Sequence, residues 1–300
     1  MKYAIIFYLL SFFLFQSFGQ EKVDNKILKV MSFNIRCGSC EDTTDINHWN
    51  KRKELVSELL KKYDPDIIGL QEAEIWQIID IENEFYDYSW VGKGRDDGKE
   101  EGEFTAVFYK TKRFHAWDNY TYWLSETPDT PSVGWDAALN RTLTAVLFYD
   151  FKNEGIVCFF NTHFDHVGDT ARVESAKLLR KIVTEYSAKY PAVITGDFNF
   201  TEESEGYKVL TSGELKVENP IDDLKYKPLI NSKYISGKPH IGGDTTFNAF
   251  GNETDIKSAI DFIFVNDKVK VLSHQTITDI PEGLFPSDHY PVFVELIFKK

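Results

Sequence analysis

Basic residues are scarce in this 300-residue chain: 34 Lys and Arg face 47 Asp and Glu, a formal net charge of −13 at pH 7. Affinity for long nucleic acids comes largely from Lys and Arg that displace counterions from phosphates. No strong basic run offsets the deficit, so a polyanion-binding surface is disfavoured; equally, the acidity can serve solubility alone. Cysteine is sparse too, at three, and the odd count leaves at least one thiol unpaired. Cys37 and Cys40 form one C-x-x-C without a second pair, which argues against zinc, although the two can pair with each other in an oxidising compartment. Cys158 lies in the apolar run Ile156–Phe160 and reads as a small buried hydrophobe. Methionine numbers two. Internal repeats and low-complexity linkers are absent.

What is present begins at the N-terminus. Lys2 precedes an apolar run from Tyr3 to Phe15, broken by Ser11, and Ser17, Gly19 and Gln20 make a small, polar exit. That order reads as a signal peptide over residues 1–20, with a catalytic domain over 21–300. The run is shorter than the roughly 20 apolar residues of a membrane span, and no later stretch qualifies. The expectation is a monomeric protein, secreted or periplasmic, with no stable membrane span. Without Lys2 the remaining 33 basic residues against 47 acidic ones give −14.

Strand-like apolar runs recur at Ile27–Phe33, Asp66–Leu70, Phe104–Tyr109, Thr142–Tyr149, Ile156–Thr162, Ala192–Thr195, Ile260–Val265 and Pro291–Phe298. Several are apolar on nearly every residue, as strands covered on both faces are. Helical spacing over Lys51–Tyr63 aligns Leu55, Leu59 and Leu60. Over Thr170–Tyr190 it aligns Val173, Ala176, Leu179 and Val183, with Asp169 as the expected N-cap. Segments Gly92–Glu103, Leu124–Asp136 and Leu215–Thr246 carry Gly, Pro and charge and read as surface loops, where function concentrates. Together these predict one α/β domain.

Polar residues stand repeatedly at the ends of the apolar runs: Asn34, Gln71 and Glu72, His163, Asp197 and Asn199, Asp261, Asp288 and His289. Any one has an ordinary explanation, since strand ends carry polar residues and carboxylates cap helices. Six such sites point to one edge of a sheet stack and a cleft there. A hard cation such as Mg²⁺ takes oxygen ligands, including one or two carboxylates, and Glu72, Asp288 and the Asn34 amide oxygen can supply them. Asp197 is the candidate base for an attacking water, with Asn199 holding water or phosphoryl oxygen. His163 with Glu103, and His289 with Asp261, are candidate His–carboxylate pairs. Arg36 and Arg141 can clamp a phosphate through paired hydrogen bonds. His48, His115 and His274 lack such company and read as surface or loop residues.

The segments SFNIR (32–36), DIIGLQE (66–72), NTHFDH (161–166), TGDFN (195–199), AIDFIF (259–264) and PSDHYPV (286–292) resemble, in order, the motif series of the endonuclease/exonuclease/phosphatase superfamily. The resemblance runs from Lys29 to Leu296 and implies a four-layer α/β/β/α sandwich, two packed mixed sheets flanked by helices. It also implies a divalent-metal phosphoric ester hydrolase using Mg²⁺ or Mn²⁺, as one or two ions. Matched by motif, Asn34, Glu72 and Asp288 are the metal-site residues, and Asp197 and Asn199 orient the nucleophile. Asp261 and His289 form a pair, and His163 is a catalytic His with Glu103 as its acidic partner by strand alignment. Arg36 and Arg141 match phosphate-contacting arginines, while Asp165 and His166 read as structural.

The fold leaves the substrate open. The acidic segment leading into Glu103 suits a duplex-binding cleft poorly. Trp123 and Trp135 bracket a loop and can either stack on a sugar or base, or pack the loop. The Cys–Asp–Arg hallmark of inositol phosphatases is replaced by Ala259–Phe262, and no membrane-inserting aromatic hairpin is evident. The expected substrate is therefore a small phosphate ester, sugar-bearing, with DNA or RNA cleavage as the alternative enzyme reading. A non-catalytic binding module is the other class, and it is disfavoured because none of the expected motif residues is missing.

Overall fold

Strands that are apolar on successive residues need cover on both faces, and the computed structural model supplies it. It describes residues 26–213, 227–280, 283 and 285–299. The signal-peptide reading and the first part of the third loop lie outside the described residues. In chain order the elements are β1 (Leu28–Asn34), α1 (Trp49–Tyr63), β2 (Ile67–Gln71), α2 (Ile75–Glu84), β3 (Tyr88–Val91) and β4 (Val107–Lys110). There follow β5 (Phe114–Trp123), β6 (Thr142–Asp150), β7 (Gly155–His163), α3 (Asp169–Ser187), β8 (Ala192–Asp197) and α4 (Glu205–Thr211). The chain closes with β9 (Ile230–Asn231), β10 (Asp261–Val265), β11 (Val269–Thr276) and β12 (Val292–Phe298).

Two six-stranded sheets form, in the orders β11-β12-β1-β2-β4-β3 and β5-β6-β7-β8-β10-β9. Both are mixed: β1/β2 and β7/β8 run parallel and the other pairs antiparallel. Alternate residues of one strand serve two cores, as the period-2 pleat requires. Val30, Ile67, Val107, Val146, Phe159, Val193 and Ile263 meet between the sheets. Met31, Phe33 and Ile68 turn outward onto Val56 and Leu60 of α1 and Ile78 of α2. On the far side Phe160 and Ile194 take Ala176, Leu179 and Val183 of α3 and Leu210 of α4. The four-layer sandwich expected from the motifs is the observed architecture.

At the end where the strand-terminal polar residues lie, the intersheet core turns polar. Asn161 donates to the carbonyls of Leu70 (2.7 Å) and Ala106 (3.0 Å), while its amide oxygen accepts from Gln71 (2.6 Å) and Thr195 (3.0 Å). The sheets approach so closely here that a Cβ on Gly69 would lie 2.1 Å from Thr195 Oγ1. Directional bonds of this kind fix the relative register of two sheets more sharply than apolar packing does.

Several expectations are corrected. Strands β3, β5, β9 and β11 escape the apolar-run reading because each is a sheet edge; edges stay polar to avoid pairing with other chains. Asp169 is not the N-cap of α3. Gly168 holds that position, and Asp136 accepts from the N–H groups of Thr170 (3.2 Å) and Ala171 (2.6 Å) in its stead. His274 is 5% exposed on β11, with Nδ1 2.9 Å from Nδ1 of His240. His48 is also buried, as the N-cap of α1 accepting from Asn50 N–H. Cys158 is buried as expected, and Cys37 and Cys40 form a disulfide. No helix among the described residues is long and apolar enough to cross a membrane.

Candidate active site

Topology gathers the chemistry. Parallel pairing of β1 with β2 places Asn34 beside Gln71, and parallel pairing of β7 with β8 places His163 beside Asp197. Antiparallel β10 begins there, with Asp261 opposite Asp197. β12 also starts at this edge, so Asp288 and His289, just before it, join the group. The chain leaves these strands abruptly. Arg36 (φ 60°), Glu72 (φ 60°) and Asn199 (φ 48°) all adopt the left-handed region that non-glycine residues seldom occupy. Backbone strain of this kind persists where the surroundings over-determine it, and functional sites are where it clusters.

Asn34 is the hub. Its Nδ2 donates to Glu72 Oε1 (2.9 Å) and Asp197 Oδ2 (3.0 Å) and lies 3.5 Å from His289 Nε2. Its Oδ1 accepts from Arg36 N–H (3.0 Å). The oxygen assigned to a cation from sequence accepts one backbone N–H, which leaves its second lone pair for a cation, and the Asn34 amide N–H groups position carboxylates. Glu72 also accepts from Cys37 N–H (3.2 Å), so the disulfide loop holds the site's first carboxylate. Arg36 spans Glu41 (3.0 Å), Asp288 (3.7 Å) and Glu72 (3.8 Å) with 31% of its side chain exposed. Behind it, buried Arg52 holds the carbonyls of Ile35, Arg36 and Pro286. Sequence reading missed Arg52, because an Arg in the first turn of an amphipathic helix looks like a solvated face.

The His289–Asp261 pair is formed, Nδ1 to Oδ2 at 2.8 Å, and His289 Nε2 lies 3.8 Å from Asp197 Oδ2. Burial opposes a charge on His289, but the carboxylates of Asp261 and Asp197 prevail and hold its pKa well above the usual value. Burial, and then the charge of Asp261, push Asp197 up to about 7. Asn199 N–H donates to Asp197 Oδ1 (3.0 Å), and its side-chain Nδ2 sits 3.0 Å from His163 Nε2 and donates to Phe164 O (3.0 Å). Asn199 thus ties the base candidate to the second imidazole.

The other expected pair is not a hydrogen bond. Glu103 Oε2 is 3.9 Å from His163 Nδ1 but 2.5 Å from Arg95 Nη1, so a residue not singled out from sequence takes the carboxylate. Burial and the charge of Glu72 raise Glu103 to about 7. Burial, then Arg141 and Arg95, keep His163 well below its usual pKa and therefore neutral. Asp165 and His166 both contact Arg141, at 3.3 Å from its Nε and 2.8 Å from its Nη2. The tryptophans separate. Trp123 is 3% exposed with its indole N–H on Arg95 O (2.7 Å), which removes it as a stacking platform. Trp135 is half-buried at φ 52°, and its loop is held by Leu139 N–H to Asp165 at 3.4 Å.

The residues present fit a divalent cation. Donor atoms of Glu72, Asp197 and His289 lie within 4.8 Å of one another, two of them hard carboxylate oxygens. Asp288 stands close by across Arg36, raised by burial and, against the pull of His289, by the charge of Glu72. Buried carboxylates that repel one another are a standing demand for positive charge. The other cluster of donor residues among the described residues, Cys37, Cys40 and Glu72, is ruled out by the disulfide.

Comparison with known proteins agrees with this geometry. The model of the Endonuclease/Exonuclease/phosphatase family matches residues 31–289. An endonuclease/exonuclease/phosphatase from Bacteroides vulgatus has a similar structure, TM-score 0.82 at 35% identity, covering 91% of this chain and 99% of that one. A mannosyl-6-phosphatase from Bacteroides thetaiotaomicron gives TM-score 0.81 at 35% identity, covering 90% and 100%. The exoribonuclease subunit Ccr4 of the CCR4-Not complex from Aspergillus niger is 24% identical over 344 residues, 91% of this chain. The chain spans about half of that relative, 52% of its length.

Proposed function

The chain belongs to the endonuclease/exonuclease/phosphatase family and is a hydrolase of phosphate esters, and from that premise we propose a secreted enzyme that uses a divalent cation, Mg²⁺ or Mn²⁺, to hydrolyse a small sugar-bearing phosphate ester. One observation carries the chemistry: donor atoms of Glu72, Asp197 and His289, the last two buried, lie within 4.8 Å of one another where the strands end.

When bound, the cation would be held by Glu72, with Asp288 and the Asn34 amide oxygen beside it, and would supply charge neutralisation at the phosphoryl oxygens. The protein's own groups do the rest. Asp197, aligned by Asn34 and the Asn199 N–H, accepts a proton from the attacking water; a base near pH 7 combines the right protonation state with driving force. His289, kept charged by Asp261, donates its Nε2 proton towards a phosphoryl oxygen as negative charge develops. His163, with Nε2 3.0 Å from Asn199 Nδ2 and 3.5 Å from Asp197 Oδ2, supplies a second imidazole beside the base. Arg36 is the partly exposed guanidinium above the carboxylates and is positioned to meet the same anion.

Two observations favour a small sugar ester. The match to the structurally similar mannosyl-6-phosphatase covers 90% of this chain and all of that one, and the net charge of −13 suits a polyanion poorly. The Ccr4 relatives support RNA cleavage as the second reading. Export is supported by the N-terminal apolar run and by the Cys37–Cys40 disulfide, since such bonds persist in oxidising compartments; an exported chain beginning near Glu21, read by mass, checks it. For the cation, EDTA should abolish hydrolysis of para-nitrophenyl phosphate and added Mg²⁺ or Mn²⁺ restore it. Glu72→Gln should weaken Mn²⁺ binding by roughly tenfold or more in a calorimetric titration, by analogy with losses at metal-site partners. Wild-type Mn²⁺ affinity in Glu72→Gln, or full activity in EDTA, would sink the assignment.

A further inference from the structure

Arg141 has little left to offer a substrate. Its side chain is 4% exposed, with Nε 3.3 Å from Asp165 Oδ2, Nη1 3.1 Å from both ring nitrogens of His163, and Nη2 2.8 Å from His166 Nδ1. A second guanidinium stands at the same wall. Arg95 Nη1 contacts Glu103 Oε2 at 2.5 Å, and that oxygen lies 3.9 Å from His163 Nδ1. A guanidinium carries five N–H donors. Among the described residues the side-chain partners of Arg95 are Glu103 and, at 3.9 Å, Asp96. Arg95 and Glu103 are 12% and 17% exposed, and with Asn140, His163 and Arg141, whose donors are already directed at Asp165, His163 and His166, they line a cavity of about 10 Å³. Such a space suits a single water, and polar groups that line it can exchange that water for a ligand oxygen.

The segment holding Arg95 is built to fix it. Arg95 N–H donates to Glu103 O (3.1 Å), and Arg95 O accepts from the Trp123 indole (2.7 Å) and Asn140 Nδ2 (3.2 Å). At the preceding residue, a Cβ on Gly94 would lie 2.3 Å from Glu101 O, so only glycine permits this close turn. Burial of Trp123 is explained by the same contact: it anchors the backbone of Arg95.

We propose that Arg95 is the guanidinium that binds phosphoryl oxygens of the substrate beside His163, with Glu103 presetting its direction and Trp123 and Asn140 as positioning residues. The proposal rests on the phosphate-ester reading above. A planar fork matches phosphate bidentately, and the one N–H spent on Glu103 leaves a pair free for the anion. Arg141 then braces the two imidazoles.

The test uses the whole chain with Mn²⁺, inorganic phosphate titrated by calorimetry, and kcat and KM on para-nitrophenyl phosphate. Arg95→Gln should weaken phosphate binding roughly 10- to 100-fold, the range of a lost charge-assisted hydrogen bond, and should raise KM. Arg95→Lys, which keeps the charge and the Glu103 ion pair but loses the fork, should fall between, with wild-type Mn²⁺ affinity and melting temperature. Arg141→Lys, which disturbs the brace on His163 and His166, should lose less phosphate affinity than Arg95→Gln. Unchanged phosphate affinity in both Arg95 variants, or a larger loss in Arg141→Lys, would overturn the inference. If the wild type bound phosphate through Arg95 yet hydrolysed no phosphate ester, the inference would stand and the functional reading would fail.

Discussion

Replacing Asp197 by Asn should lower kcat about 10³-fold, within the 10²–10⁴ that a positioned acid or base contributes. The amide cannot take a proton from water at neutral pH, yet it has nearly the shape of the carboxylate. Stability should hold or rise, because the native charge is buried opposite Asp261, and these two effects push Asp197 up to about 7. An inactive variant that melts no lower than the wild type is therefore expected. Paired kcat and thermal-unfolding measurements check it. An Asp197→Asn enzyme with kcat within a few-fold of wild type would remove Asp197 as the base.

His289→Ala is expected to fail twice. Activity should fall at least about 100-fold with the loss of the imidazolium donor. Stability should also fall, by about 3–5 kcal/mol, since removing one partner of a buried ion pair leaves uncompensated charge. The stranded groups are Asp261 and Asp197, at 2% and 1% exposure. Adding Asp261→Asn to His289→Ala removes one of those charges, so the double variant should be more stable than the sum of the single losses. Denaturant unfolding of the three variants measures this. Strict additivity would show that the 2.8 Å contact carries no coupling.

The sandwich was legible in the sequence because its central strands are covered twice. Ile67–Gln71, Thr142–Asp150 and Asp261–Val265 are apolar through both faces, and a run of that kind has few other uses. The edge strands were not legible. Phe114–Trp123 exposes most of its length, and its polar residues hide the alternation. α2 was missed for a related reason: its Glu74–Gln77 capping box lacks the Ser, Thr, Asp or Asn that usually marks a helix start.

The site shows the same division. Asn34, Glu72, Asp197, Asp261 and His289 were found because each terminates or opens a readable strand, and topology does the gathering. The identity of partners was not readable. Glu103 was assigned to His163, but the side chain that reaches it is Arg95, from a segment whose Asp and Glu residues read only as an acidic loop. Stacking and loop packing were both open for Trp123, because nothing in the local pattern signals that its indole closes on a backbone carbonyl 28 residues away. Contacts across loops are set by the whole fold, and local periodicity carries no record of them.

The central claim is hydrolysis of a small sugar-bearing phosphate ester at a cation-dependent site, and one measurement addresses it directly. Initial rates are compared for a hexose 6-phosphate, a mannose-6-phosphate-terminated glycan, single-stranded RNA and plasmid DNA, each with Mg²⁺ or Mn²⁺. The account predicts release of inorganic phosphate from the sugar esters with kcat/KM well above any nucleic-acid cleavage. Rapid, salt-sensitive cleavage of RNA or DNA with inert sugar phosphates would contradict it.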